Sequence, residues 1–319
     1  MRAVRVHEFG PPAVMHLEDV PDPVAGPGQV VVAIKAVGVN PVDTYIRAGT
    51  YGPREFPFTP GFDGAGVIDS VGVGIANLRP GDRVYVERSL SGTYAQKCLC
   101  LATQVHPLPA RVSFSQGAGV CVPYATAYRA LFHKCRAKPG ETVLVHGGSG
   151  GVGLATIQLA RAHGMRIIAT ASSATGRELV IRQGAHHAVD HSSLLYEEQI
   201  LGLTGGRGVD VVIEMLANVN LDRDLAMLAM FGRIAIVGNR GRIGIDPRRA
   251  MQKDAEIHGM ALFNATSAEL APVHAALHAG LENGTLNPIV AKELPLTEAA
   301  RAHDLILEPG AHGKIVLLP

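Results

Sequence analysis

Gly148, Gly150 and Gly153 are spaced as G-x-G-x-x-G, between an apolar run and a stretch with helical periodicity. That order can cradle a pyrophosphate. The first glycine permits a tight turn, the second lets phosphate oxygens approach the backbone, and the third lets the helix pack on the strand. The open helix end adds free N–H groups and the positive end of its dipole. Val143–Val145 read as the strand and Leu154 to Ala160 as the helix, and this context makes a common motif a dinucleotide-binding fingerprint.

The second strand indicates which dinucleotide. Arg166–Thr170 (RIIAT) fits it, and in NAD enzymes an acid about 20 residues past the glycines binds the ribose 2′-OH. Here the segment runs Ala171-Ser172-Ser173-Ala174-Thr175-Gly176-Arg177, with no acid before Glu178. Hydroxyls and Arg177 stand where a carboxylate would repel a 2′-phosphate, which favours NADPH.

Other elements must hold this device in place. From Phe114 onward, helical stretches alternate with apolar strands at 143–145, 166–170, 188–189, 209–213 and 233–237, the pattern of a doubly wound parallel sheet. Residues 1–115 instead carry short apolar runs (Val30–Ala36, Gly66–Val71, Arg83–Val86) separated by Pro/Gly turns, which suggests a β-barrel-like domain. Helices at 268–284 and 299–307 precede a last strand, Lys314–Leu318, which can return to the first domain. The expected division is therefore a discontinuous catalytic domain, 1–115 with 265–319, and a nucleotide domain, 116–264. The cofactor is expected at the carboxyl ends of the parallel strands, facing the interdomain cleft.

Bulk properties narrow the class. The 319 residues are 47% hydrophobic and 18% charged, which excludes a disordered chain. A net charge of +1 gives no general attraction to nucleic acid or anionic membrane. The four cysteines form no C-x-x-C pair, and no signal segment or run of about 18 apolar residues is visible. Reduced thiols in a cytoplasmic protein are expected.

The motifs GVNPVDTYIRAGTY (38–51), PFTPGFDGAGVI (57–68), GDRV (81–84), PYATAYRAL (123–131), VHGGSGGVG (145–153), EMLANVNL (214–221) and VGNRG (237–241) carry a family likeness. The chain resembles the medium-chain dehydrogenase/reductase superfamily, and within it the zinc-free quinone oxidoreductases of zeta-crystallin type. The likeness spans essentially the whole chain. It implies a Rossmann-type α/β domain with a GroES-like β-barrel catalytic domain. Zinc-dependent relatives carry a cysteine at the position of Asn40, a histidine at Phe62 and a second cysteine at Val122. Of that site Asp63 survives, and one carboxylate does not hold zinc; no metal is expected.

The resemblance implies NADPH-dependent reduction of quinones, ortho-quinones among them, by direct hydride transfer, with a semiquinone product implied. It places Tyr45 and Asn40 near the nicotinamide and the acceptor, where a phenol or amide can hydrogen-bond a developing oxyanion. Asp43 could act as an acid, although exposed-loop structure is the stronger expectation, and Tyr51 belongs to an expected mobile lip. Ser149, Gly150, Gly151 and Val152 match the pyrophosphate turn, and Ser172 and His191 match positions near the adenosine ribose and its phosphate. Asn220 matches a cofactor contact. Val237, Gly238, Asn239 and Arg240 should pass close to the nicotinamide, and Met260, Ala261 and Leu262 match a segment meeting its carboxamide. A homo-oligomer, dimer or tetramer, is also implied, which could join edge strands of the nucleotide domain, with Ile234–Val237 and Arg242–Ile245 near that edge. Two rival readings are an NADPH-dependent alkenal or enone double-bond reductase on the same scaffold, and an AU-rich RNA-binding or crystallin-type structural protein. For RNA, the basic run Arg240, Arg242, Arg248, Arg249 and Lys253 reads better as a solvated face.

Overall fold

A computed structural model of the chain describes residues 1–310 and 312–319. It divides into two compact units, 1–122 with 278–319 and 123–277. The sequence reading placed these divisions at 115/116 and 264/265.

The first unit opens with strands β1 (Arg2–Val6), β2 (Met15–Asp19), β3 (Gln29–Val39), β4 (Asp63–Val71), β5 (Arg83–Glu87), β6 (Lys97–Leu101) and β7 (Val105–Pro107), with helices α1 (Pro41–Arg47) and α2 (Phe114–Gly117). The second unit holds β8 (Thr142–Val145), β9 (Arg166–Thr170), β10 (His187–Val189), β11 (Val209–Glu214), β12 (Leu228–Ile236) and β13 (Glu256–Gly259). Its helices are α3 (Thr126–Tyr128), α4 (Gly151–Ala162), α5 (Ala174–Arg182), α6 (Tyr196–Leu203), α7 (Ala217–Met227) and α8 (Pro247–Met251). Helix α9 (Ser267–Asn283) carries the boundary at 277/278; β14 (Val290–Pro295), α10 (Ala299–Leu305) and β15 (Lys314–Leu318) complete the first unit.

In the first unit, seven strands form one sheet in the order β14-β15-β3-β4-β5-β7, with β6 also on β3. The returning strand β15 runs antiparallel to β3, with Ile315 opposite Val39, and β4 flanks the other side of β3, with Asp63 opposite Gly38. This register has a chemical consequence. It brings three polar residues, Asn40 just past β3, Asp63 at the start of β4 and Lys314 at the start of β15, to one end of the sheet. Gly38 makes the approach possible, since a Cβ there would lie 2.7 Å from Lys314 and 2.9 Å from Asp63.

The second unit has six parallel strands in the order β10-β9-β8-β11-β12-β13. This is the doubly wound arrangement with its topological switch between β8 and β11, where such sheets leave a crevice for a dinucleotide. Leu144, Ile168, Val212 and Ile234 pack with Ile200, Leu221 and Leu225 from the helices. The central strands are buried along their length because helices cover them, so they read as apolar runs rather than alternating patterns.

Candidate active site

The glycine turn leaves β8 and enters α4 with Gly150 as N-cap. Gly148 N–H donates to Thr170 O at 2.7 Å, tying the turn to β9, and Gly150 N–H donates to Gly147 O. Leu154 N–H is the first to bond back, to Gly150 O. The N–H groups of Gly151, Val152 and Gly153 are thus left at the open helix end. A Cβ at Gly153 would sit 2.4 Å from Gly147 O, and one at Gly148 would sit 2.9 Å from the Ala169 Cβ. Glycine at these two positions is a condition of helix–strand packing. At Gly150 the nearest atom to an added Cβ is 3.4 Å away, so that surface stands open for a ligand. The turn fits a dinucleotide pyrophosphate.

All the other nucleotide-side candidates follow the carboxyl ends of parallel strands. Ser172 and Arg177 follow β9, His191 follows β10, Asn220 follows β11, Val237 to Arg240 follow β12, and Met260 to Leu262 follow β13. The parallel sheet therefore brings them to one edge. Val237 and Gly238 donate backbone N–H groups to Glu214 O, and Arg240 N–H donates to Asn218 Oδ1. Met260 N–H donates to Ile236 O, and Ala261 O accepts from Arg129 at 3.0 Å. His191 Nδ1 lies 3.3 Å from Thr170 Oγ1.

Arg177 has a second role that the sequence did not show. Its Nη1 donates to Ala171 O, Ser172 O and, at 2.8 Å, to the Asp190 carboxylate. The guanidinium braces the β9–α5 turn and neutralises an acid that arrives from the end of β10. In the basic run, Arg249 forms an ion pair with Asp222 at 2.9 Å.

Beneath the same edge lies a buried cluster absent from the sequence expectations. His146 Nε2 is 2.8 Å from Asp224 Oδ1 and 3.5 Å from Glu214 Oε2, and both carboxylates are 0% exposed. Glu214 Oε1 accepts from Leu216 N–H and from the Asn220 amide. Burial pushes both carboxyls up to about 7 and holds the His146 imidazole below its ordinary range.

In the first unit, Asn40 caps α1 and is 3% exposed. Its Nδ2 donates to Asp63 Oδ2 at 3.0 Å and toward Gly38 O at 3.4 Å, while its Oδ1 accepts from Lys314 Nζ at 2.5 Å. Lys314 Nζ also donates to Asp63 Oδ2 at 2.8 Å, and Asp63 Oδ1 accepts from Val122 N–H. Both ends of the Asn40 amide are thus engaged within the protein. These contacts tie the end of β3 and the start of α1 to Asp63 and Lys314. An ammonium already supplies the positive charge beside Asp63, and Asn40, Phe62 and Val122 offer no zinc donors of the required kind. These residues do not fit a zinc ion.

Asp43 is buried on α1, contrary to the expectation of exposed-loop structure. Its Oδ2 accepts from Asn40 N–H at 2.8 Å and from Tyr94 OH at 3.4 Å, and Tyr94 OH lies 3.0 Å from His303 Nε2. Arg47 Nη1 donates to His303 Nδ1 at 3.4 Å, so Nε2 carries the imidazole proton. Burial pushes Asp43 up to about 7 and holds His303 down to about 3. Asp43 also lines a cavity of about 310 Å³ with Ile46 and Phe62. Tyr45 lies on α1, half-buried, its ring stacked on Tyr51 at 6.1 Å and 10°.

The paired architecture of a Rossmann-type unit and a GroES-like unit defines a two-domain dehydrogenase/reductase. A family model described as a zinc-binding dehydrogenase matches residues 151–278, and one described as an alcohol dehydrogenase GroES-like domain matches residues 26–135. A quinone oxidoreductase of Rattus norvegicus is 48% identical over 321 residues, covering 100% of this chain and 98% of its own length. A mycobacterial structure complexed with NADPH is 33% identical with a TM-score of 0.92, both chains fully covered. Escherichia coli quinone oxidoreductase complexed with NADPH is 29% identical with a TM-score of 0.91, again over both full chains. The chain belongs to the quinone oxidoreductase family of the medium-chain dehydrogenases/reductases.

Proposed function

We propose that this protein is an NADPH-dependent quinone reductase that works without a metal. The observation that carries this is the nucleotide edge of the second unit. A glycine turn open at Gly150 stands beside a β9 end with no carboxylate, and Asp190, which arrives from the end of β10, is neutralised by Arg177. A ribose 2′-phosphate meets there Ser172, His191 and the remaining N–H groups of Arg177. The relatives' names and the two NADPH complexes support the same reading.

When bound, NADPH supplies the hydride at its nicotinamide C4. The chain's residues do the rest. The α4 N-terminus and the turn at 148–153 bind the pyrophosphate, while 237–240 and 260–262 support the nicotinamide side. The Tyr45 hydroxyl hydrogen-bonds the acceptor oxygen as negative charge develops on it, and Asn40 and Asp43 hold α1 and hence Tyr45 in place. Without a Lewis acid, alcohol oxidation is disfavoured and an electrophilic acceptor is needed.

We further propose a homo-oligomer built through the sheet edge of the second unit. The edge strand is β13, Glu256–Gly259, and Ile234 to Ile236 of β12 pair directly with it. Arg242–Ile245 forms no strand. The exposed Met230, Phe231 and Ile257 lie on these two strands. A monomeric mass in light scattering would remove the oligomer. The proposed compartment is the cytoplasm: all four cysteines are buried free thiols, and no helix among the described residues is long and apolar enough to cross a membrane.

The test is turnover of NADPH with phenanthrenequinone and, separately, with an alkenal. Rapid oxidation of NADPH by the quinone alone is expected. Turnover of the alkenal alone would assign the protein to the double-bond reductases instead.

A further inference from the structure

The His146–Glu214–Asp224 cluster has no part in the chemistry above, yet it sits where the cofactor crevice must be. His146 directly follows β8 and precedes the glycine turn, and Glu214 ends β11. These are the two strands that flank the topological switch. Glu214 also holds Leu216 N–H and the Asn220 amide, and Asn220 is itself a nucleotide-side candidate.

The cluster is short of positive charge. One ring nitrogen faces two carboxylates, and the three ligand atoms lie within 4.8 Å of one another. Glu214 Oε2 and Asp224 Oδ2 are buried and receive no N–H or O–H from the described residues. Two bare carboxylates sharing one neutral imidazole N–H would be a buried double charge, which proteins avoid by retaining a proton. Among the described residues, no cation enters from the neighbouring elements. On α6, Tyr196 packs edge-on against the His146 ring at 6.5 Å, and Glu197 adds negative potential. Arg223, next to Asp224 on α7, turns instead to Tyr196 and to Glu197. His191, after β10, is held below its ordinary range, chiefly by burial.

We propose that the His146–Glu214–Asp224 cluster is a proton-uptake site coupled to NADPH binding, with Glu214 as the residue that positions Leu216, at the start of the segment after β11, and Asn220. This rests on the NADPH reading above. The pyrophosphate brings negative charge to the turn beside the cluster, so the protein binds NADPH most tightly when the carboxyl pair holds a shared proton. Where the pair is partly ionised, binding draws the missing proton from solvent onto a carboxylate oxygen, and no bond in the cofactor changes. Since the pair loses its proton as pH rises through neutrality, cofactor affinity falls over the same range.

The experiment is calorimetric titration of the whole protein with NADPH at pH 7.5, in buffers of differing ionisation enthalpy. NADH is a second ligand that removes the contribution of the 2′-phosphate. Wild type is expected to take up a substantial fraction of a proton with either ligand. Its Kd should rise by up to about tenfold per pH unit above neutrality, the limit for one linked proton. Glu214→Gln and, on a different element, Asp224→Asn are expected to bind without that uptake and with a flatter pH profile. Melting curves check that each variant is folded. Equal uptake in wild type and both variants would overturn the inference while leaving the cofactor assignment intact. A stoichiometric metal found with the purified protein and lost in Asp224→Asn would overturn it too, since a cation would already balance the carboxylates. Absence of any NADPH binding would instead remove the cofactor reading beneath it.

Discussion

Lys314 places a full positive charge in the interior of the first unit, 4% exposed, and Asp63 answers it at 2.8 Å. A buried pair of this kind is costly to break from one side, because the survivor stays buried and uncompensated. Lys314→Met is therefore expected to lower stability by about 3–5 kcal/mol in chemical denaturation. The added substitution Asp63→Asn should recover much of that loss. Little of this was legible in the sequence. Asp63 was visible as a remnant of a metal site, but its partner is 251 positions away and Lys314 read as the first residue of a final strand. The same holds for His146 and Asp224, 78 positions apart. Such pairs arise from strand register and from the packing of helices on the sheet, which no local pattern encodes. Glu214, although inside the motif EMLANVNL, carried no mark of burial.

At the scale of elements the sequence was more informative. The spans read as Arg166–Thr170 and Lys314–Leu318 are β9 and β15, and the glycine turn sits between a strand and a helix as its spacing requires. Strands covered on both faces announce themselves as apolar runs. Two strands that the sequence reading did not name, β13 and β14, are of another kind. In β13 the sequence EIHG is mostly exposed, and β14 (VAKELP) mixes charges into an edge position, so neither offers an apolar period. The turn itself gives a test. Gly153→Ala would put a Cβ 2.4 Å from Gly147 O, so α4 must move away from β8. NADPH affinity in fluorescence titration is expected to fall by at least about tenfold, because small displacements of a positioning element are amplified at the ligand. Stability should drop by about 1–3 kcal/mol from overpacking.

For the whole molecule, the buried titratable groups set the pH dependence of stability. Asp43, Glu214 and Asp224 are raised to about 7 in the folded state, above their ordinary values of 3.8 and 4.5. Folding binds extra protons at these groups. Their contribution is complete at acid pH and is lost as pH rises through about 7. His303, lowered to about 3, acts oppositely: its contribution is complete above its ordinary value of 6.5 and is lost as pH falls toward 3. The expected outcome is a Tm that declines as pH rises from about 6 to 8, with a shallower decline in Glu214→Gln. Thermal melts across that range check it, and an identical slope in wild type and variant would show that Glu214 does not hold its proton. The two-unit plan was itself legible, because the change from short Pro/Gly-punctuated strands to strand–helix alternation is a change of period. The boundary positions were less so, since α9 runs continuously through one of them.

The most direct measurement is kcat/KM for NADPH and for NADH, with phenanthrenequinone as acceptor, on protein freed of metal by exhaustive chelation. The account predicts undiminished turnover after chelation and a preference for NADPH of about a hundredfold or more, consistent with a desolvated charge–phosphate contact. A preference for NADH, or activity that vanishes with the metal and returns on adding zinc, would contradict it.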